Sequence, residues 1–394
     1  MQLVKTYTLH RGSYAIDVRH EVINHGSATV SPTLYLQLVR DDHPVAGGAS
    51  VGPSSYTGPA IYSETTAFKK LPFKDLDKAA ERNEPEALPK TDDGWVAMIQ
   101  HYFASAWLLP GSAPRQFLAT RNADTSVLGR PTYAVAMTTP VGAVAPGAEK
   151  TIDAKLYAGP SEEHLLAGLA PGMTLVKDYG FFKIIGQPLF WLLDKLHTLI
   201  GNWGWAIVAL VVVLKIALYG LNAKAYRSMA QMRAVNPRIQ ALRERYKDKP
   251  QQLQQETMRI YREEKVNPLG GCLPIFVQMP IFFALYSVLN SSVEMRGAPW
   301  IGWIHDLSAM DPYMILPVLM TASSLLQVAL NPTPPDPMQA RMMWIMPIMF
   351  SVMFFAFPAG LVVYYVTNNL LSIVQQWLIN RQFGRQAAGG ATTA

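Results

Sequence analysis

The sequence predicts a polytopic α-helical membrane protein with five transmembrane helices, preceded by an N-terminal antiparallel β-sandwich domain. Three observations predict this fold class. Hydrophobic residues make up 50% of the 394 residues and the mean hydropathy is +0.11, which is more apolar than in ordinary soluble enzymes. Residues 1–174 alternate between apolar and polar side chains with a period of two. From about residue 204 onward, long apolar runs replace this alternation.

The predicted β-sandwich domain comprises residues 1–175. In the stretch SYAIDVRHEVI, Ile16, Val18 and Val22 share one face of a strand, while Asp17 and Arg19 share the other. This alternation is typical of a strand with one buried face. Similar runs, joined by glycine- and proline-rich connections, predict further antiparallel strands at 33–39, 95–103, 132–139 and 150–158.

An amphipathic helix is predicted at residues 180–202. Leu189, Leu193 and Leu196 follow helical spacing on one side, and Asp194 and Lys195 take the opposite side. The apolar run is too short for a membrane span, which favours a helix lying at the membrane surface. Packing of this helix on the β domain is the alternative.

Five candidate spans lie within a predicted membrane core at residues 203–380, and a tail occupies 381–394. The spans are predicted at 204–221, 270–290, 312–330, 342–358 and 360–378. The first covers roughly 26 Å at about 1.5 Å per residue, which is close to the thickness of a hydrocarbon core. The tripeptide Pro358-Ala359-Gly360 separates the last two spans, so a tight hairpin is expected between them.

The distribution of basic residues predicts the orientation of the spans. The loop 222–269 carries eleven basic residues against five acidic ones, whereas 291–311 has a single arginine, Arg296. Because basic loops stay inside, this loop, the loop 331–341 and the tail are predicted to be cytoplasmic and the β domain to lie outside. An exported domain needs an export signal, so we expect a signal-anchor helix and the first part of the β domain to precede the sequence as given.

Residues 222–265 of the cytoplasmic loop are predicted to form a two-helix hairpin. Its two apolar stripes comprise Ile239, Leu242 and Tyr246 and, after KDKP, Leu253, Thr257 and Ile260. Two interpretations remain open. The basic hairpin binds an anionic lipid, a ribosomal RNA or an acidic protein, or it is a solvated loop without a specific partner.

One charged residue, Lys215, interrupts the apolar run AIVALVVVLKIALYG of the first span. A charge at membrane depth costs at least about 2.5–3.5 kcal/mol, so it usually marks a function or a route to water. The predicted spans contain no Asp, Glu or His, so no carboxylate partner is expected there. This favours a hydrated cavity within the bundle over a lysine that snorkels to the surface. Candidate polar neighbours in the other spans are Gln278, Gln327, Thr367, Asn368, Asn369 and Gln375.

The sequence argues against several classes of protein. The single cysteine, Cys272, cannot form an intrachain disulfide, and no Cys/His spacing predicts a zinc site. The sequence has no phosphate-binding glycine motif, no carboxylate dyad within a span and no metalloprotease motif. We therefore predict a protein that is not an enzyme and that uses no cofactor and no metal.

Three stretches resemble the YidC/Oxa/Alb family of membrane protein insertases, in its Gram-negative form. They are VNPLGGCLPIFVQMPIFFALYSVL (266–289), WIHDLSAMDPYMILPVLM (303–320) and FPAGLVVYYVTNNLLSIVQQWLI (357–379). The resemblance is close over 180–380, and the β segment is similar to the large periplasmic domain of Gram-negative members. It implies an insertase and folding chaperone for nascent membrane proteins in the bacterial inner membrane. The implied partners are these nascent proteins, the Sec translocon, the ribosome and membrane lipids, without a small-molecule substrate.

The resemblance also implies a site. Lys215 matches a positive residue that faces a hydrophilic groove; Gram-negative members often carry arginine, and lysine keeps the charge but lacks the bidentate fork. Contacts with the groove or the substrate are expected at Val211, Gln278, Tyr365 and Asn368. A hydrophobic slide for the departing substrate span is expected at Ile275, Met279, Met349 and Met353. The hairpin 222–265 resembles one that captures substrates.

Two other functions remain open from the residues. One is a small-solute transporter or channel that uses Lys215 as an anion site inside the membrane. The other is a structural scaffold for the translocon, which would tolerate the loss of Lys215 but not the loss of the spans. Solute flux through proteoliposomes would distinguish the first of these from an insertase.

Overall fold

The computed structural model describes residues 1–43, 56–82, 88–122, 129–247, 249–264, 273–331 and 337–390. The chain divides into two compact units. The first, the β unit, comprises Met1–Gly180 with Ser291–Val293, and the second, the helical unit, comprises Phe181–Asn290 with Glu294–Ala394.

Within the described residues, the β unit contains eleven strands. They are β1 (Gln2–Leu9), β2 (Ala15–Ile23), β3 (Thr33–Asp41), β4 (Gly58–Ser63), β5 (Ala67–Lys70), β6 (Lys90–Thr91), β7 (Trp95–Ile99), β8 (Phe103–Leu108), β9 (Arg115–Asn122), β10 (Thr132–Pro140) and β11 (Glu149–Pro160). All recorded pairings are antiparallel. They form a seven-stranded sheet in the order β1-β2-β11-β8-β7-β4-β5 and a four-stranded sheet in the order β3-β10-β9-β6.

The core of the β unit follows from strand alternation. Val18, His20 and Val22 of β2 are buried while Asp17 and Arg19 are exposed, as a strand with one buried face requires. The residues of this main core come from both sheets and include Val18, Leu36, Val96, Phe117, Val135 and Met137. This arrangement is an antiparallel β-sandwich.

One run predicted as a single strand forms two strands in the structure. The run at 95–103 is divided between β7 and β8, which pair antiparallel as a hairpin. The backbone N–H of Gln100 donates to the carbonyl of Phe103 at 2.8 Å, which closes the turn. All five residues of β7 are buried, so the alternation that would have revealed its end is missing. The other predicted runs each fall within one strand.

The described helices are α1 (Phe73–Glu81), α2 (Glu163–Ala167), α3 (Lys183–Ile200), α4 (Trp203–Ala217), α5 (Tyr219–Arg245), α6 (Pro250–Glu263), α7 (Leu273–Ser291), α8 (Ile315–Leu330), α9 (Pro337–Phe354) and α10 (Ala359–Gly390). In the helical unit, α10 packs against α4, α5 and α8, while α9 packs against α8 and α3 against α4. α10 is therefore the central helix of this unit.

The prediction of one continuous helix for the first span, 204–221, is wrong. α4 ends at Ala217, and the chain bends by 68° before it continues as α5. In the described part of the chain, no single helix meets the length and hydropathy of a span, whereas the bent pair Trp203–Ala217 and Tyr219–Met232 meets them jointly. Shorter apolar helical segments lie at Phe276–Ser291, Ile315–Leu330 and Ala340–Phe354.

Other predicted boundaries also differ from the structure. The hairpin predicted at 222–265 is formed by α5 and α6, and α5 begins three residues earlier than predicted. The segment 381–394, predicted as a separate tail, continues α10 as far as Gly390, and residues 391–394 lie outside the described residues. Residues 332–336 of the predicted loop 331–341 and residue 265 at the end of the hairpin also lie outside them.

Candidate functional site

Lys215 lies in the last turn of α4, not in the middle of a long span. Asn202 caps the start of this helix, because its side chain accepts a hydrogen bond from the Trp205 N–H at 3.1 Å. The helix ends two residues after the lysine, at Ala217. The last carbonyls of a helix carry a partial negative charge, which favours a cation in the final turn. The helix end therefore offsets part of the cost of placing this charge among apolar helices.

The ammonium group of Lys215 points toward α10. Its Nζ donates to Ser372 Oγ at 2.6 Å, across 157 residues of sequence. The Ser372 hydroxyl in turn donates to the backbone carbonyl of Asn368 at 2.7 Å. Ser372 also interacts with the hydroxyl of Tyr226 on α5. The lysine is thus linked to α10 through one buried serine.

A small cavity adjoins this contact. Its volume is about 10 Å³, which is close to the space that one water molecule needs. α4, the following turn and α5 contribute Val211, Leu214, Lys215, Leu218 and Asn222, and α7 and α10 contribute Gln278, Ile281, Tyr364 and Asn368. The Gln278 amide donates to the Tyr364 hydroxyl and so bridges α7 and α10. The cavity is therefore polar on the sides of α7 and α10 and apolar along most of α4.

Most of the residues predicted for the groove converge on this cavity. Val211, Gln278 and Asn368 line it together with Lys215. Tyr365 does not line it; its ring packs against Phe282 and Phe354 with centroids 5.2 and 4.7 Å away.

Sequence reasoning missed Tyr364 and Ser372, which contact this site. A signal for both was present, because Tyr364, Asn368 and Ser372 are spaced by four residues and so lie on one face of a helix. The spacing identifies the face of α10, and only packing shows that this face meets Lys215.

The residues predicted for the hydrophobic slide lie on α7 and α9. Met279 is 49% exposed and Met349 is 62% exposed, while Met353 is half-buried. The side chain of Ile275 lies outside the described residues. α9 exposes further large apolar side chains: Met342, Ile345, Met346, Ile348, Phe350 and Val352. An exposed apolar surface of this extent is suited to lipid or to an apolar partner.

A second polar group on α10 lies beyond the cavity. Asn369 donates to Ser323 Oγ at 3.0 Å and to Ser324 Oγ at 2.9 Å on α8. Gln376 donates to the Leu330 carbonyl at 3.2 Å and to Asn331 Oδ1 at 3.0 Å. These bonds fix α10 to α8, so the polar side chains of α10 serve packing as well as the cavity.

Gln375 differs from these neighbours. It is 8% exposed, and both polar atoms of its amide are buried without a hydrogen-bond partner among the described residues. An unpaired buried amide is costly in free energy, so it is a notable weak point in the packing of α10.

The β unit contains a larger cleft of about 780 Å³. Its lining includes Arg19, which forms an ion pair with Asp153 of the neighbouring strand at 2.9 Å, and His10, whose Nε2 lies 2.8 Å from Asp17 Oδ2. Its apolar wall includes Trp95, Leu108 and Pro171. The sequence-predicted site residues all lie in the helical unit. Among the described residues, no group of three or more His, Cys, Asp or Glu side chains could hold a metal ion.

Comparison with known protein families covers almost the whole chain. A family model described as the YidC periplasmic domain matches residues 1–192, and one described as the 60Kd inner membrane protein matches residues 195–386. A protein of Ralstonia nicotianae named membrane protein insertase YidC is 55% identical over 99% of this chain and 68% of its own length. A protein of the same name from Cupriavidus taiwanensis is 54% identical over 98% of this chain and 67% of its own length.

Among solved structures, the chain is similar to a crystal structure of an active YidC insertase with the first transmembrane domain resolved. The sequence identity is 19%, the TM-score is 0.46, and the match covers 94% of each chain.

Proposed function

Because the chain belongs to the YidC family of membrane protein insertases, we propose that it inserts nascent membrane proteins into the bacterial inner membrane through the site around Lys215. The observation that carries this proposal is a lysine at the end of α4, bonded to a buried serine and bordered by a small polar cavity. A cation in this position attracts a negatively charged segment more strongly than it would in water, because the surroundings are poorly polarisable.

In the proposed mechanism, the hydrophilic end of a substrate reaches the Lys215 cavity from the cytoplasm. Its acidic residues are attracted to the ammonium group, which lowers the free-energy cost of bringing charge into the membrane. The cavity of about 10 Å³ holds no polypeptide in this conformation, so α7 must separate from α10 as substrate enters. This opening would break the Gln278–Tyr364 hydrogen bond and the ring contact between Phe282 and Tyr365.

The hydrophobic span of the substrate then leaves along an apolar surface. We propose that it follows Met279, Met349 and Met353, whose flexible side chains adapt to different partners. Transfer of the apolar span into lipid supplies the driving force. The site needs no bound nucleotide for this step, since partitioning and charge attraction suffice.

The α5–α6 hairpin is proposed as the cytoplasmic capture element. Its two helices pack through a small apolar cluster that includes Val235, Ile239 and Ile260. Arg238 forms an ion pair with Glu264, and Arg259 forms one with Glu256. The hairpin faces the cytoplasm and the β unit the periplasm in this proposal, and the ribosome and the Sec translocon are the proposed partners of the cytoplasmic and membrane surfaces.

A small-solute transporter is the weaker alternative. Sites for small molecules usually enclose about 300–1,000 Å³. The cavity at Lys215 is far smaller, at about 10 Å³. The geometry therefore favours a site that opens for a chain over a preformed site for a solute.

The test is insertion of a short single-span substrate with an acidic N-terminal tail into proteoliposomes. We expect Lys215→Arg to insert it, and Lys215→Met and Lys215→Glu to fail, with Lys215→Glu the more defective because it repels the tail. A substrate whose tail is neutralised should be inserted by all variants. Equal insertion of the acidic tail by every variant would contradict the electrostatic role and leave the apolar surface as the active element.

A further inference from the structure

The orientation of the Lys215 side chain needs an explanation of its own. A lysine in the last turn of a helix can extend along the helix axis toward the membrane surface, because its flexible stem permits snorkelling. Here it extends sideways instead, and Nζ lies 2.6 Å from Ser372 Oγ on α10. Something must hold the ammonium group in this direction.

Ser372 has the properties of such an anchor. Its side chain is 3% exposed, so the contact is shielded from water. Its hydroxyl proton is directed to the Asn368 carbonyl at 2.7 Å. The lone pairs of the oxygen therefore face the ammonium group, and a charge-assisted hydrogen bond of this kind is about twice as strong as a neutral one. The oxygen accepts from the lysine because its own proton is already engaged.

A hydroxyl is also a suitable partner for a cation that has to attract acidic residues of a substrate. A carboxylate at this position would neutralise Lys215 and compete with the acidic residues of a substrate. A serine orients the ammonium group while leaving its full positive charge in place. The contact thus combines a fixed position with an uncompensated charge.

We propose that Ser372 is the positioning residue of Lys215: it holds the ammonium group at the cavity wall so that acidic substrate segments meet it there. This inference rests on the proposed function of Lys215. It predicts that Ser372 affects the preference for acidic substrate tails only through the lysine.

A second serine provides a matched control. Ser351 on α9 is also 3% exposed, and its hydroxyl donates to the carbonyl four residues earlier, Pro347, at 2.7 Å. Its other neighbour is the sulfur of Met320 at 4.0 Å rather than a charged group. Ser351→Ala therefore removes the same bond to the carbonyl four residues earlier without touching Lys215, whereas Ser372→Ala also removes the contact with the Tyr226 hydroxyl.

The experiment is a double-mutant cycle on insertion of the acidic-tail substrate. Ser372→Ala should reduce the preference for the acidic tail over the neutral tail by about tenfold. In a Lys215→Met background, Ser372→Ala should have no further effect, and Ser351→Ala should leave the preference unchanged in both backgrounds. Ser372→Thr keeps the hydroxyl and should restore the preference. Equal losses from Ser372→Ala with and without the lysine would overturn the proposal, because they would show a packing role.

Thermal unfolding in detergent separates this proposal from the proposed function. Ser372→Ala should lower the unfolding temperature more when Lys215 is present than when Met replaces it, because the bond to the Asn368 carbonyl is lost in both backgrounds. If Lys215→Met leaves insertion unchanged but this stability coupling is seen, the proposed function fails and the contact stands. If Ser372→Ala and Ser372→Thr lower the unfolding temperature alike in both backgrounds, the positioning role is refuted.

Discussion

Two cations, the buried Arg115 in the β unit and the half-buried Lys215 in the helical unit, are held in different ways. Arg115 is 3% exposed and donates four hydrogen bonds to backbone carbonyls: to Ala113 at 3.2 Å, Gly94 at 2.6 Å, Leu109 at 3.3 Å and Gly111 at 2.6 Å. Within the described part of the chain, Lys215 donates one recorded hydrogen bond, to Ser372. A cation surrounded by acceptors stabilises a loop, whereas one with unused donors is available to a ligand.

The largest effect is expected at Arg115. Arg115→Met leaves four carbonyl oxygens without their donor and should destabilise the β unit by about 3 kcal/mol or more. Hydrogen exchange in β7 and β9 would measure this loss. Arg19→Met is the control, because Arg19 forms an exposed ion pair with Asp153 and its removal should cost less than about 1 kcal/mol. Similar losses for both variants would contradict the comparison.

Substitution of Lys215 is expected to change stability in the opposite direction, toward a more stable protein. Because Lys215 is proposed to lie at membrane depth, Lys215→Met should stabilise the helical unit by about 1–2 kcal/mol, after the lost bond to Ser372 is subtracted. Thermal unfolding in detergent is the measurement, with Lys215→Arg as the control that keeps the charge. A destabilised Lys215→Met protein would mean that the lysine is structural, like Arg115.

Gln375 gives a related contrast between neighbours on α10. Gln375→Leu removes an amide with no partner among the described residues and should stabilise the protein by about 1–3 kcal/mol. Gln376→Leu removes bonds to Leu330 and Asn331 and should destabilise it. The measurement is the unfolding temperature of each variant. If both substitutions lower it, the Gln375 amide is paired in the protein.

A smaller effect is expected at the bridge between α7 and α10. Gln278→Leu and Tyr364→Phe each break the same hydrogen bond, so each should cost about 0.5–1.5 kcal/mol. Because the two residues share one bond, the double variant should lose little more than either single variant. Additive losses in thermal unfolding would exclude a shared bond.

The smallest change in stability is expected at another basic group, the buried His20 of the β unit. Burial, and then the charge of Lys5, lower its pKa below the ordinary value of 6.5. The folded protein resists protonation of this ring while the unfolded chain accepts it, so the β unit should lose stability as the pH falls below about 6.5. His20→Gln should flatten the slope of stability between about pH 7.5 and 5.5.

The sequence by itself determined the fold class and the family, and both are confirmed. Alternation with a period of two predicted the sandwich, since one face of a strand must be buried. Apolar run length predicted the membrane helices, and the three quoted stretches carried the resemblance to the family. These features are local, so they can be read without knowing which elements meet.

Only the tertiary structure decided the details of the site. It placed the end of α4 two residues after Lys215, and it turned Tyr364 rather than Tyr365 toward the cavity. It also supplied Ser372 as the partner of the lysine from a distance of 157 residues. Helical spacing shows which residues share a face, but the rotation of one helix against another depends on packing across the whole unit. The partner of Lys215 is therefore a property of the assembled helices.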